Sequence, residues 1–369
     1  MTAPALPLRP APVVRGDFLL CGCQGGAERA LAARQAEVLP ELRPAAWRRG
    51  VVTFRLGAVD PAADVCPDLV FARTVIRCFG QVVGGSPEAC AAAARALAGG
   101  ASWDRVHVWP RDPRADSAVA GARAALLAAC DVDPAAAEIA RPGDLVLDCV
   151  LDSPLRWWVG WHRAAGPQST WPGGFYPGRL DPQAASRAWL KLDEAIASFR
   201  PALAAGQRAC EFGAAPGGAC QRLLEAGLEV VGVDPAEIEP GVAGHPRFTH
   251  WRMRARDVQL RRFTGFEWLV SDMNIDPRST MAALERVVTA PGVRLEGLIA
   301  TLKLPDWSRA AELGAWLGRF RQWGYEPAAR QLSTGGREVC VVALRQGRTS
   351  NSRPRVRPAG RPARRRRGR

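Results

Sequence analysis

The order of apolar and polar positions divides the chain into two patterned halves. In the first half, short apolar runs alternate with alanine-rich amphipathic stretches. Phe18-Leu19-Leu20-Cys21-Gly22-Cys23 and Val51-Val52-Thr53-Phe54-Arg55-Leu56 read as strands, as do residues 73–80, 105–109, 145–151 and 155–162. Residues 27–39, 87–98 and 115–129 carry apolar positions at helical spacing. The second half alternates more regularly. Helices are expected over 188–198, 219–226, 278–289 and 308–323, and strands over 208–212, 229–233, 267–271, 297–303 and 339–344. This alternation predicts a mostly parallel, doubly wound α/β sheet with helices on both faces. The first half predicts a smaller α+β layered unit.

Gly and Pro set the boundaries. The Gly/Pro-rich residues 166–185 read as a linker between an α+β region over 17–165 and a Rossmann-like domain over 186–346. Residues 1–16 are Pro-rich, are expected to be flexible, and lack the apolar centre of a signal peptide. Residues 347–369 read as a disordered Arg-rich tail. Its ten arginines and no acid account for ten of the formal net charge of +14, leaving about +4 elsewhere. Guanidinium groups grip phosphate bidentately, so the tail either solubilises the chain or extends an RNA-binding surface. With 47% hydrophobic and 23% charged residues the chain has globular composition. No apolar run reaches the roughly 18 residues of a membrane span, so a cytoplasmic protein without membrane contact is expected. The ten cysteines form no C-x-x-C pair and the four histidines show no ligand spacing. Buried free thiols are therefore expected, and no metal site.

Of the 50 basic residues only Lys191 and Lys303 are lysines. Arginine keeps its proton, whereas lysine can lose it once burial lowers its pKa, so these two are the first candidates for proton chemistry. A second candidate site is the turn Gly213-Ala214-Ala215-Pro216-Gly217-Gly218, which follows a strand and opens a helix. Glycines there let a ligand approach the backbone, and the helix offers unpaired N–H groups. Sixteen residues past Gly218, Asp234 ends the next strand, where a carboxylate can accept both hydroxyls of an adenosine ribose. The dinucleotide fingerprint G-x-G-x-x-G is absent, which favours S-adenosylmethionine over NAD.

Four ionisable residues fall at element ends of the second half. Lys191 lies early in a helix, Asp272 and Lys303 end strands, and Glu338 precedes the last strand. Carboxyl ends of strands in a doubly wound sheet face the ligand crevice, so Asp272 and Lys303 are expected there together. Lys-Asp-Lys-Glu in this order around a Pro-Gly-Gly turn resembles the FtsJ class of RNA ribose 2′-O-methyltransferases. Leu69-Val70-Phe71-Ala72-Arg73, Trp158-Val159-Gly160-Trp161, Trp171-Pro172 and Ser186-Arg187 with Leu190-Lys191-Leu192 extend the resemblance to the ribosomal RNA large subunit methyltransferase M family, over about residues 17–344. The resemblance implies a THUMP-containing RNA-binding region followed by a Rossmann-like catalytic domain. It also implies methylation of a cytidine ribose in 23S rRNA or a large-subunit precursor. It implies S-adenosylmethionine contacts from Ser186, Ala215, Pro216, Gly217, Gly218, Asp234, Asp257 and Asp272, with Lys303 as proton acceptor completed by Lys191, Asp272 and Glu338. Ala219 departs from the pattern, standing where an aromatic often follows the Pro-Gly-Gly turn.

A methyl donor that is a sulfonium departs neutral and needs no acid, so one base and good alignment suffice. To act as that base at neutral pH, Lys303 is expected to fall by roughly 3 pKa units, driven by burial and by repulsion from Lys191. Base N-methylation is disfavoured, because Asp272-Met273-Asn274-Ile275 stands where an Asn/Asp-Pro-Pro-Tyr loop belongs. Cytosine C5 methylation is disfavoured because the chain has no Pro-Cys pair. A tRNA substrate and a non-catalytic RNA-binding assembly factor stay open. Trp47, Trp103, Trp109, Trp157, Trp158 and Trp161 are expected in the core or at a domain interface. Arg48, Arg49, Arg73, Arg77, Arg156 and Arg163 are candidates for phosphate contact.

Overall fold

Phe18–Cys23 is almost entirely buried, as an uninterrupted apolar run requires when a strand has sheet neighbours on both edges and layers on both faces. The computed structural model describes residues 12, 16–56, 69–111 and 113–347. The Arg-rich tail from 348 onward, Cys66 and the Pro-rich N-terminus, apart from residues 12 and 16, lie outside that set.

The first sheet takes β1 (Phe18–Cys23), β2 (Arg43–Arg48), β3 (Val51–Arg55), β4 (Ala72–Val83), β5 (Arg105–Pro110), β6 (Leu145–Ser153) and β7 (Arg156–Arg163). Their spatial order is β2-β3-β1-β4-β7-β6-β5. Among the described residues of this sheet, only β5 and β6 pair in parallel. Helices α1 (Glu28–Val38), α2 (Pro87–Leu97) and α3 (Val119–Ala129) belong to this half. α2 starts where Ser86 accepts a hydrogen bond from the Ala89 amide at 3.2 Å and Pro87 opens the helix. It then buries Cys90, Ala91 and Ala94 on one face. The helix expected over 115–129 is shorter: a 3₁₀ turn, Pro113–Ala118, precedes α3.

The second sheet follows α4 (Ala188–Phe199). In chain order it contains β8 (Arg208–Phe212), α5 (Gly218–Glu225), β9 (Glu229–Val233), α6 (Pro240–Ala243), β10 (Phe248–Trp251), β11 (Trp268–Ser271), α7 (Pro277–Val288), β12 (Gly297–Lys303), α8 (Leu313–Gln322), β13 (Tyr325–Arg330) and β14 (Glu338–Arg345). Strand order is β10-β9-β8-β11-β12-β14-β13. β10, β9, β8, β11 and β12 pair in parallel, β14 alone runs antiparallel between β12 and β13, and β13 again points along the first five, the expected mostly parallel, doubly wound arrangement. α7 is capped by Asp276, whose Oδ1 accepts from the Arg278 amide at 2.8 Å. Its face of Thr280, Met281, Leu284 and Val287 is buried. Burial of one such apolar side chain contributes about 1.5–3 kcal/mol.

The two sheets share one apolar core that includes Phe71 and Val75 from the first and Leu302, Leu304 and Leu313 from the second. Trp307 packs edge-on against Phe71 with ring centroids 6.3 Å apart. The Gln331 amide donates to the Val70 carbonyl at 2.8 Å. These contacts lie beside the carboxyl end of β12 and the β13–β14 loop, where the candidate site is built. Among the described residues no helix is long and apolar enough to cross a membrane. The described cysteines are free, and all but the half-buried Cys130 are buried.

Candidate active site

Strand register assembles the four charged residues. β11 and β12 lie side by side, so Asp272 and Lys303 leave neighbouring strand ends. β14 runs antiparallel to β12 with Glu338 directly opposite Lys303. α4 carries Lys191 in its first turn to the same place. The result is a closed ring of ion pairs. Lys303 Nζ donates to Asp272 Oδ1 and to Glu338 Oε2, each at 2.6 Å. Lys191 Nζ donates to Asp272 Oδ2 at 2.5 Å and lies 3.3 Å from Glu338 Oε1. Side-chain exposure of 10–18% leaves the ring largely buried but still reachable from solvent.

The expected fall in the Lys303 pKa is not what this geometry gives. Burial is the largest single influence and lowers it, but Asp272 and Glu338 together outweigh burial, and the Lys303 ammonium is held above the ordinary lysine range. Lys191 repels across the ring, while the two carboxylates touch the amine directly. Contact distance decides the balance.

The Gly213–Gly218 turn is built as a cradle. Gly213 has φ +77° and Gly217 φ +120°, a region that L side chains rarely adopt. A Cβ on Gly218 would meet Ser186 Oγ at 2.3 Å, so α5 can begin only with glycine there. Asp234 accepts from the Ala215 amide at 3.2 Å and from the Ala236 amide at 2.8 Å, and each oxygen keeps a second lone pair. The structure thus sets Ser186, ahead of α4, and Asp234, after β9, against the turn that holds Gly213, Ala215, Pro216, Gly217 and Gly218. Asp257 lies in the 3₁₀ turn Ala255–Asp257, is largely exposed, and pairs with its neighbour Arg256 at 3.9 Å.

Two acids escaped the sequence reading. Glu211, inside the buried run of β8, is 1% exposed, and burial pushes its carboxyl up to about 8. Its Oε2 has no hydrogen-bond partner beneath the turn. An acid within an apolar strand was the available signal. Glu194, on the buried side of α4, accepts from the Ser333 and Thr334 amides at 2.7 Å and from Thr334 Oγ1 at 2.6 Å. It thereby ties down the loop that leads into Glu338.

Among the candidate RNA contacts, Arg77 and Arg163 are buried, at 4% and 8% exposure, and are not available to phosphate. Arg77 lies under the Trp161 ring, and Arg163 donates to the Gly143 carbonyl at 3.1 Å. Trp103, Trp109, Trp157 and Trp161 are core residues, whereas Trp47 is 56% exposed.

Comparison with known proteins meets the same motifs. The FtsJ-like methyltransferase family matches residues 184–300, which span the cradle, Asp272 and most of β12. A ribosomal RNA large subunit methyltransferase M from Halorhodospira halophila is 30% identical over 346 residues, covering 90% of this chain and 97% of the relative. One from Aromatoleum aromaticum is 37% identical over 155 residues, 40% of this chain and 41% of the relative. The match to the first of these runs through both sheets, so the chain belongs to the ribosomal RNA large subunit methyltransferase M family.

Proposed function

We propose that this protein uses S-adenosylmethionine to methylate a cytidine 2′-hydroxyl of 23S rRNA, free or within a large-subunit precursor. The observation that carries this reading is the Lys191–Asp272–Lys303–Glu338 ring at the carboxyl ends of the strands. Residues 17–165 are read as the THUMP-containing RNA-binding region.

The orphaned Glu211 Oε2, the open lone pairs of Asp234 and the glycine-lined turn fit a cationic adenosine cofactor. Ser186, Gly213, Ala215, Pro216, Gly217, Gly218, Asp234, Asp257 and Asp272 would hold it. When bound, the cofactor supplies an electrophilic methyl on a leaving group that departs neutral. Lys303 in its neutral form accepts the 2′-hydroxyl proton at Nζ. Asp272 and Glu338 fix the direction of that amine, and Lys191 balances the charge of the same two carboxylates. General-base catalysis of this kind contributes about 10²–10⁴-fold.

The test is transfer of labelled methyl from S-adenosylmethionine to undermethylated 23S rRNA and to tRNA, followed by nuclease digestion. The expected product is 2′-O-methylcytidine in the rRNA alone. A base-methylated nucleoside, or transfer to tRNA instead, overturns the reading.

A further inference from the structure

The cleft between the two sheets opens beside the ion-pair ring. A cavity of about 210 Å³ is lined by Cys23, Phe71, Arg73 and Arg111 on one side and by Ser333 and Gly335 on the other. Gly335 adjoins the ring, because a Cβ there would meet Glu338 Oε1 at 2.9 Å.

Phe175 also lines this cleft and is 41% exposed, so its ring is open to a ligand there. It is held rigidly. Trp171-Pro172-Gly173-Gly174-Phe175 turns through two consecutive glycines of positive φ, +59° and +68°. A Cβ on Gly173 would meet the Trp109 ring at 2.6 Å, and one on Gly174 the Arg73 carbonyl at 2.1 Å. The Arg73 guanidinium lies 3.7 Å from the Phe175 ring centroid. It is itself pinned by the Gly173 carbonyl at 2.7 Å and the Cys23 carbonyl at 3.1 Å. On the far side the Tyr176 amide donates to Ser333 Oγ at 2.9 Å. An aromatic ring backed by a cation and fixed at both ends is a stacking platform with little ordering entropy left to lose.

Arginines on the cleft wall offer groups that can grip phosphate. Arg111 donates to the Arg49 carbonyl at 2.8 Å, and Arg48 and Arg111 share Asp152 at 3.0 and 2.5 Å. Glu28 is engaged by the Gly26 and Gly50 amides, and Glu194 by the 333–334 loop. The guanidiniums of Arg73 and Arg111 line the cleft, with Arg48 beside Asp152 and Arg49 beside Gly25, while Asp152, Glu28, Glu194 and Glu338 each already hold a partner.

We propose that this cleft binds single-stranded RNA, and that an unpaired base flanking the modified nucleotide stacks on Phe175. The inference rests on the reading of the protein as an RNA methyltransferase. It adds where the strand leaves the reacting centre. Unpaired bases are what stacking platforms take, since every base offers a π-face, whereas duplex RNA hides its faces.

The test compares wild type, Phe175→Ala and Phe175→Trp as full-length chains. The probes are fluorescently labelled single-stranded and duplex oligoribonucleotides, read by anisotropy, alongside methyl transfer to undermethylated 23S rRNA. Phe175→Ala is expected to weaken single-strand binding and raise the KM for RNA by about ten-fold. Duplex binding and S-adenosylhomocysteine affinity stay as in wild type, and Phe175→Trp restores the single-strand affinity. Single-strand affinity unchanged in Phe175→Ala overturns the platform. If wild type transfers methyl to no RNA, the functional reading falls, while the oligonucleotide comparison still decides whether Phe175 stacks.

Discussion

Lys303 and Glu338 are direct partners in the antiparallel β12–β14 register, and their side chains meet at 2.6 Å. A cross-strand pair is the most economical way to fix two charges, because the backbone ladder has already set their separation. Asp272 closes on Lys303 from the adjacent parallel strand at the same distance. The proposed base is therefore held by two strands, and only Lys191 comes from a helix.

Replacing Lys303 by methionine keeps the length of the side chain and removes the amine. Turnover is expected to fall by about 10²–10⁴-fold, the contribution of a positioned general base. S-adenosylhomocysteine affinity, read by calorimetry, is expected to change little, because the cradle is built by the β8–α5 turn. Full turnover in this variant removes Lys303 from the reaction.

The raised Lys303 pKa fixes a sign for pH dependence. The neutral amine is the active form, so log kcat/KM is expected to climb with unit slope from about pH 6 to 9 and show no plateau, since that ratio reports the free enzyme. The same elevation affects stability. A lysine whose folded pKa is raised stabilises the fold fully below its ordinary value, about 10.4, and loses that contribution as pH rises through the folded value. Denaturant titrations above pH 10 are expected to show this loss in wild type and not in Lys303→Met.

Most of the second sheet was legible from sequence, because buried strands with helices between them leave continuous apolar runs. β8, β9 and β12 fall where those runs stand. The strands that escaped, β2, β10 and β13, are all sheet edges. β2 is exposed along its whole length, β10 has four residues, and β13 carries a proline. β5 is an edge too, but helix α3 packs on it and four of its residues are buried, so it kept an apolar run that the barely buried β2, β10 and β13 lack. Asp272, Lys303 and Glu338 stood out at strand ends, and Lys191, on a helix, stood out as one of only two lysines in the chain. The direction in which the Lys303 pKa moves was not, because it depends on two 2.6 Å contacts that only the register creates. Glu194 was hidden for the same reason, its partners lying about 140 residues away.

Glu211 offers a second titration, of the same sign but at lower pH. Its folded carboxyl titrates near 8, far above the ordinary carboxylate value of about 4.3. Such a group stabilises the fold fully below the ordinary value and loses that contribution as pH rises towards 8. At about 1.36 kcal/mol for each pH step between those two values, the loss is on the order of 5 kcal/mol. Glu211→Gln is expected to match wild type near pH 4 and to exceed its stability increasingly up to pH 8. Parallel denaturant curves with a pH-independent difference contradict the assignment.

Glu194 lies beneath the loop that delivers Glu338, and its carboxylate satisfies two backbone amides and one hydroxyl there. Glu194→Gln replaces one acceptor oxygen by a donor facing an N–H, leaving a buried group unsatisfied at a cost of about 1–3 kcal/mol. Stability alone does not identify a positioning role, so the readout is kinetic. If the loop sets the direction of Glu338, kcat falls at least ten-fold in protein that is still folded, while the KM for S-adenosylmethionine stays near wild type. Glu194→Asp keeps both acceptor oxygens and is expected to recover part of the rate. A drop in melting temperature with kcat unchanged assigns Glu194 to the fold and leaves the alignment of Glu338 to the β12–β14 register alone.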